Sequence, residues 1–334
     1  MDPLSQGVLG GSASLAVTEK AHVLVAVLCG VFAGMAPDLD AFIRSDKDPL
    51  LYLEYHRQFT HALIFIPFGA LICATVFKVT FARKLSFRLI YLYSFVGYAT
   101  HGLLDSCTTY GTQLFWPFSN TRVAWHSISI IDPLFTIPLV LIVAWGLLKH
   151  NNRFGYIALA WAFAYLSFGA LQGHRAQSYG EQLAASRGHE TIRLEAKPSF
   201  ANLLVWKIIY ETDGRFFVDA VRMGLETTFY PGQSVQKLNV ERDLPWLEKK
   251  SQQAADLARF RWFSNDYLAL SAERENFVID MRYSLLPNEV DGLWGIQLNP
   301  YLENNEHVNF VWDRQVSKRK QRQLVQMIRG LPAN

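Results

Sequence analysis

Charge is what this chain has least of. Lys, Arg, Asp and Glu make up 18% of its 334 residues, against the roughly 25% usual in soluble domains. The shortage is confined to one half: residues 1–171 hold 11 Lys/Arg and 9 Asp/Glu, whereas residues 172–334 hold 21 and 20. The two signs nearly cancel in each half, so the bulk basic field that nucleic-acid binding draws on is missing. Nucleic acid is therefore not an expected partner. Cysteine is scarce too. Cys29, Cys73 and Cys107 lie in apolar surroundings of the first half, in no zinc-type pair spacing, and read as core residues. The second half has none, which excludes a disulfide framework there. The start, Met1-Asp2-Pro3, lacks the basic segment that opens a cleavable signal peptide.

Long apolar runs are what the first half does have. Six stretches stand out, at about 4–18, 21–36, 60–77, 89–105, 133–148 and 154–171. Each approaches the length needed to span a bilayer. Segments such as 62–76 and 138–148 are apolar on every face, which suits lipid better than a half-wet surface. The first stretch, with Gly7, Gly10 and Gly11, is the weakest and reads as a re-entrant or tightly packed helix. Short links carry Lys20, Lys78, Arg83, Lys84, Arg88, Lys149 and Arg153, seven basic residues against four in the longer links 37–59 and 106–132. Positive residues stay on the cytoplasmic side, so the longer links, the N-terminus and, after six crossings, the C-terminal half are expected outside.

From about residue 195 the pattern changes to period two. Leu203–Glu211 and Arg215–Val221 flank Thr212-Asp213-Gly214, the signature of a β-hairpin. Further strands are predicted at 261–270, 276–285, 292–299 and 306–313, with helices at 243–259 and, basic and amphipathic, from Gln315 to Arg329. The expected fold is an α-helical membrane domain of about six helices (1–171), a polar connector (172–194) and a smaller α+β domain with an antiparallel sheet (195–334).

The ionisable residues of the apolar half fall in a pattern. Asp38 and Asp40 end the second stretch behind Pro37, which stops the helix from continuing regularly. His56 and His61 open the third, with Thr60 placed as an N-cap. His101 and Asp105, one turn apart on one helix face, close the fourth, and His126 and Asp132 precede the fifth. With Asp2 and Gln6, all of them gather on the outer face of the expected topology. Charge bordering membrane segments is costly, so a one-sided gathering marks a site. Imidazole nitrogen with carboxylate oxygen is the donor mix for Zn²⁺, Mn²⁺ or Fe²⁺, and the number of donors suffices for two ions. Such a pair would suit metal-activated water attacking a phosphoester, with Arg57 to hold a phosphate oxygen. Taken singly, each residue has a plainer reading: Pro-Asp as a helix cap, a lone His or Arg57 as an interfacial group. The remaining histidines, His22, His150, His174, His189 and His307, fit that plainer reading.

Five segments carry a resemblance: Asp2-Pro3-Leu4-Ser5-Gln6-Gly7-Val8-Leu9-Gly10, Pro37-Asp38-Leu39-Asp40, His56-Arg57-Gln58-Phe59-Thr60-His61, His101-Gly102-Leu103-Leu104-Asp105 with Thr109-Tyr110-Gly111, and Trp125 followed by Asp132-Pro133-Leu134-Phe135. In this order, over about residues 1–150, they resemble the YdjM-type inner-membrane metal-dependent hydrolases, a family with LexA-regulated members. More remotely, the His/Asp pattern is similar to the zinc-dependent phospholipase C and nuclease group. The resemblance implies a bacterial multi-pass inner-membrane protein and one to three divalent ions, zinc or else manganese. It implies metal ligands at Asp38, His56, His61, His101, Asp105 and Asp132, with Arg57 and Asp40 assigned to the reaction. The family usually opens Asp-Pro-Leu-Thr-His where this chain has Gln6, an amide and a poorer zinc ligand, with His126 nearby as a substitute.

The expected function is metal-dependent hydrolysis of a phosphoester in a membrane lipid or lipid-linked substrate, on the periplasmic side. The alternative is a non-catalytic membrane protein in which the cluster serves ion or proton transport or holds a structural metal. Transport sites lie near the bilayer midplane on broken helices in inverted repeats, whereas these residues sit at helix ends and no repeat is found.

Overall fold

The structure, a computed structural model, describes residues 1–312 and 317–332. It divides into two compact units. One is Met1–Ile43, Tyr55–Leu171 and Phe200–Asn202; the other takes Arg44–Glu54, Gln172–Ser199 and the chain from Leu203.

Each of the six apolar stretches of the first half forms a helix. Asp2 caps α1 (Pro3–Ala16), its carboxylate accepting the Ser5 amide at 3.0 Å, and Pro3 opens the helix with φ already set. Of the 14 residues of α1, 12 are buried, so this helix is tightly packed within protein and does not face lipid. Its partners are α2 (Val23–Met35) and α5 (Phe87–Ser106). Glycine makes the approach possible: a Cβ on Gly30 would stand 2.4 Å from the Gly10 carbonyl, and one on Gly97 would stand 2.7 Å from the Gly30 Cα. Pro37 turns the chain after α2 into a 3₁₀ stretch, Ala36–Phe42, that carries Asp38 and Asp40. The short α3 (Leu51–Tyr55) and two 3₁₀ turns lead into α4 (Ile66–Val79). Asp132 caps α6 (Pro133–Lys149).

The last helix of the set departs from expectation. α7 runs unbroken from Arg153 to Ser186, 34 residues, a length of roughly 51 Å at 1.5 Å per residue. Much of the stretch 172–194, expected as a polar connector, is therefore helix. Among the described residues two segments are long and apolar enough to cross a membrane, Lys20–Phe42 and Arg153–Ser186, and a third if Leu51–His61 and Leu63–Val79, bent by 58°, count as one span. Phe68, Ile72, Leu141, Leu148 and Phe163 are exposed on α4, α6 and α7, an apolar outer surface suited to lipid.

The second unit holds two antiparallel sheets where one was expected. The first orders β1 (Arg193–Pro198), β2 (Val205–Thr212), β3 (Arg215–Met223) and β4 (Thr227–Gln236) as a meander. The expected hairpin is its β2–β3 turn, with Gly214 at φ +73°. The second orders β5 (Leu268–Leu270), β6 (Phe277–Asp280), β7 (Trp294–Gln297) and β8 (Asn309–Trp312). Each of these four falls inside a predicted strand region but is shorter. Ile209, Phe216 and Val218 of the first sheet pack with Tyr267, Phe277 and Ile279 into one core. Helix was expected over 243–259. Pro245 interrupts it, leaving α8 (Val240–Asp243) and a fresh start at the Ser251 cap of α9 (Gln252–Phe263). The basic amphipathic helix is α10 (Lys318–Arg329), its Leu324 and Met327 buried; Gln315 and Val316, where it was expected to begin, lie outside the described residues.

Candidate metal centre

Four side chains from three elements of the first unit converge. Asp38 comes from the 3₁₀ stretch after α2, His61 from the turn before α4, and His101 and Asp105 from successive turns of α5. His61 Nε2 lies 3.2 Å from Asp105 Oδ2 and 3.5 Å from Asp38 Oδ1; His101 Nε2 lies 3.6 and 3.4 Å from the same two oxygens. The two Nε2 atoms are 2.9 Å apart. The His61, His101 and Asp105 side chains are fully buried, and that of Asp38 is 24% exposed. Asp38 is the group that reaches solvent.

The far side of each ring fixes which nitrogen carries the proton. His101 Nδ1 is 2.6 Å from the Gly34 carbonyl, which can only accept, so Nδ1 donates and a neutral ring leaves Nε2 bare. His61 Nδ1 lies 3.3 Å from Asp40 Oδ2 and 2.9 Å from the Thr60 hydroxyl, which itself donates to that oxygen at 2.7 Å. His61 Nδ1 donates too. Two bare nitrogens and two carboxylate oxygens then face one another, and a buried set of acceptors needs a proton or a cation among them. A tetrahedral ion with bonds of about 2.0–2.1 Å would set its donors roughly 3.3 Å apart, and the observed spacings of 2.9 to 3.6 Å bracket that value. Metal-bound imidazoles characteristically donate their other N–H to a carboxylate or carbonyl. The donor set fits a divalent ion.

The remaining residues serve this group from behind. Asp40, buried, spends Oδ1 on His56 Nδ1 at 2.7 Å and Oδ2 on the Arg57 amide at 3.0 Å as well as on Thr60 and His61. The Thr60 hydroxyl thus ties Asp40 down; it does not cap a helix. Asp38, Asp40 and His56 make a second group of three donors that shares Asp38 with the first. Arg57, at φ +64° and buried, places Nε 3.1 Å from Asp105 Oδ2 as an ion pair without hydrogen-bond alignment. Its Nη1 donates to Thr108 at 2.9 Å, and its guanidinium lies over the Tyr110 ring at 4.7 Å. Asp105 Oδ1 accepts from the Met1 amine and, at 2.9 Å, from Gln6 Nε2. Gln6 therefore stands beside Asp105 as a donor, while its own oxygen is buried without a hydrogen bond.

Three expected members lie elsewhere. Asp132 turns Oδ1 onto the amides of Leu134 and Phe135 at 3.1 and 3.3 Å and the Tyr165 hydroxyl at 2.9 Å, which is the work of a helix cap. Asp2 caps α1. His126 joins neither donor group. The Gly34 carbonyl, Thr108 and the Tyr110 ring also serve the site. Tyr110 belongs to the Thr109-Tyr110-Gly111 segment, but nothing local in the chain signals the other two.

The sequence profile of the family described as YdjM inner membrane protein matches residues 1–176. The chain belongs to that family. The match takes in both donor groups and, with the apolar helices, makes this a membrane protein. Among curated proteins, "Uncharacterized protein YfhP" of Bacillus subtilis (strain 168) is 31% identical over 141 residues, 41% of this chain and 42% of that one. The match thus spans about two fifths of that relative's length. No solved structure matches.

Proposed function

We propose that this YdjM-family protein is a metal-dependent hydrolase that cleaves a phosphoester in a membrane lipid or lipid-linked substrate. The observation that carries the reading is the pair of bare imidazole nitrogens 2.9 Å apart, flanked by two carboxylates. A divalent ion held by Asp38, His61, His101 and Asp105, zinc or else manganese, would lower the pKa of water and polarise a phosphoryl oxygen. Asp40 and the Gly34 carbonyl hold the two rings in the required tautomer. Arg57 offsets part of the charge of the three carboxylates, leaving the cluster net negative with neutral imidazoles and so attractive to a cation. Asp38 is the side chain through which solvent and substrate would enter. The Arg57 guanidinium, 3.1 Å from Asp105 Oδ2, would hold a phosphate oxygen that reached the ion. The shared residue Asp38 lets the Asp38–Asp40–His56 group take a second ion. We place the site and the second unit on the periplasmic side of a multi-pass fold, from the loop charges.

One observation favours a second reading. Four protein donors with one of them partly exposed is the closed arrangement of a structural ion, whereas catalytic zinc keeps a position open. Purified protein separates the two. Metal is measured by elemental analysis, and cleavage of a phosphomonoester and a phosphodiester lipid analogue is followed before and after chelation. Activity that returns with added zinc or manganese supports the hydrolase. Unfolding on chelation, with no cleavage by the loaded protein, supports the structural ion and ends the enzyme reading.

A further inference from the structure

The last helix carries charge of one sign only. α10 holds Lys318, Arg319, Lys320, Arg322 and Arg329 and neither Asp nor Glu. Four of these cations lie in its first five residues, at the end where the helix dipole opposes positive charge. Lys318 and Arg322, four residues apart, repel one another. Lys320 turns onto Glu289 and Asp291, both at 2.7 Å. Lys318, Arg319, Arg322 and Arg329 are exposed and form no ion pair among the described residues. With Leu324 and Met327 buried beneath, the outward stripe is Lys318, Arg322, Val325 and Arg329, at helical spacing. Val325, 46% exposed, is its apolar member.

Contacts inside the second unit bring this helix to the end of α7 that follows the apolar stretch. Residues 154–171 cover roughly 27 Å at 1.5 Å per residue, close to the ~30 Å hydrocarbon core of a bilayer. Gln172 comes next, and its Nε2 donates to the Met223 carbonyl at 2.7 Å. Beside Met223, Arg222 Nε donates to the Ile328 carbonyl of α10 at 2.8 Å. The β3–β4 turn follows, and its Leu225 is wholly exposed, as is about half of Leu331 just past α10. Large apolar side chains left in the open beside a basic stripe mark an interaction surface.

We propose that α10 and the β3–β4 turn dock the second unit on the anionic phospholipid headgroups of the bilayer that holds the chain. Headgroup phosphates would meet Lys318, Arg322 and Arg329, and Val325, Leu225 and Leu331 would enter the acyl boundary. Because α7 tethers the unit, the contact needs little affinity of its own. An acidic protein offers the same charge but has to be recruited, whereas every copy of the chain is already at a bilayer.

The test places the full-length chain in nanodiscs of phosphatidylcholine alone or mixed equally with phosphatidylglycerol, with a polarity-sensitive dye on Val325→Cys; the three native cysteines are buried. Both leaflets carry the anionic lipid, so the side on which the unit lies does not enter. Phosphatidylglycerol should shift the emission to the blue and protect the dye from acrylamide. Salt at roughly 1 M, where the Debye length is about 3 Å, should reverse both. Lys318→Gln, Arg322→Gln and Arg329→Gln should each lower the docked-to-free ratio about fivefold, the scale of one basic residue at an anionic surface. A dye on Asp213→Cys, in the β2–β3 turn at the other end of the sheet from Leu225, should report no change. Emission that ignores lipid composition overturns the proposal. So does a shift that persists in high salt, appears equally at Asp213 or survives all three substitutions together. A dye that ignores lipid but responds to polyglutamate would hand the stripe to an acidic protein partner. The salt titration keeps the parent charges, so it decides the matter even where a substituted α10 unfolds.

Discussion

His61 and His101 point their Nε2 atoms at each other across 2.9 Å while each Nδ1 donates away from the cluster. Neither ring can relieve the other without a proton or an ion between them, so the pair is the part of the site most sensitive to metal.

His61→Ala and Asp105→Ala are accordingly expected to abolish stoichiometric metal, read by elemental analysis of the purified protein. Asp40→Asn is the informative neighbour. It keeps the shape but weakens the acceptor of the His61 Nδ1 proton, and the expected loss of metal affinity is about 10–100-fold. Unchanged metal in all three variants would refute the ligand assignment.

Gly30→Ala tests whether helix packing sets the ligand spacing. A Cβ there would stand 2.2 Å from Ser14 Oγ and 2.4 Å from the Gly10 carbonyl, so α1 and α2 must part. A cost of about 1–3 kcal/mol or more is expected, visible as a lower midpoint of thermal unfolding in detergent. His101 sits one turn beyond Gly97 on α5, and Gly97 also packs against Gly30. Metal retention should therefore fall with stability. A variant that melts like the parent and keeps its metal would show that the close approach is unimportant.

How much of this could be read from the chain depended on how local the signal was. His101 and Asp105 are one helical turn apart, and Asp38 follows a proline that ends a helix; both are short-range facts that any helix imposes. Asp132 was harder to place because a carboxylate before Pro133 looks the same whether it caps a helix or binds an ion. Its partner Tyr165 lies 33 residues on. Gln6 was read as a weak ligand for the same reason: its contact with Asp105 crosses 99 residues. β4 escaped notice since its exposed positions show no alternation and it contains Pro231 and Gly232. The two-sheet arrangement depends on pairings between short strands, where single-strand patterns carry little register information.

Lys207 gives the second unit a pH dependence of definite sign. Burial pushes its ammonium down from 10.5 to about 7, although Nζ donates to Ser284 Oγ and the Glu289 carbonyl at 2.8 and 2.9 Å. Between those two values the unfolded chain binds a proton that the folded one has released. Stability should therefore rise as pH increases from about 7 to 10.5, by up to about 1.4 kcal/mol per unit. Denaturant titrations of the whole chain across that range, followed by tryptophan fluorescence, measure the slope. Lys207→Met should flatten it, and a slope that persists would assign the effect to another group.

Arg259 ties the segment 44–54 to α9. Its guanidinium is 21% exposed and meets three carboxylates, Asp48, Glu54 and Asp256. Asp256 is fully buried, but His307 at 2.8 Å and the Val308 amide at 3.1 Å also serve it, so losing Arg259 does not strand that charge. Asp48 would keep only the Leu50 amide, at 3.0 Å, and both it and Glu54 would turn to water. Arg259→Gln should thus leave the strands intact while freeing the segment 44–54, at a cost of about 1–3 kcal/mol for the lost charged hydrogen bonds. Limited proteolysis should cut first within that segment, several-fold faster than in the parent, with far-UV circular dichroism unchanged. If instead the whole second unit becomes sensitive at once, Arg259 is a fold determinant and not a tether. Equal cleavage of variant and parent would mean that contacts other than those of Arg259 hold the segment.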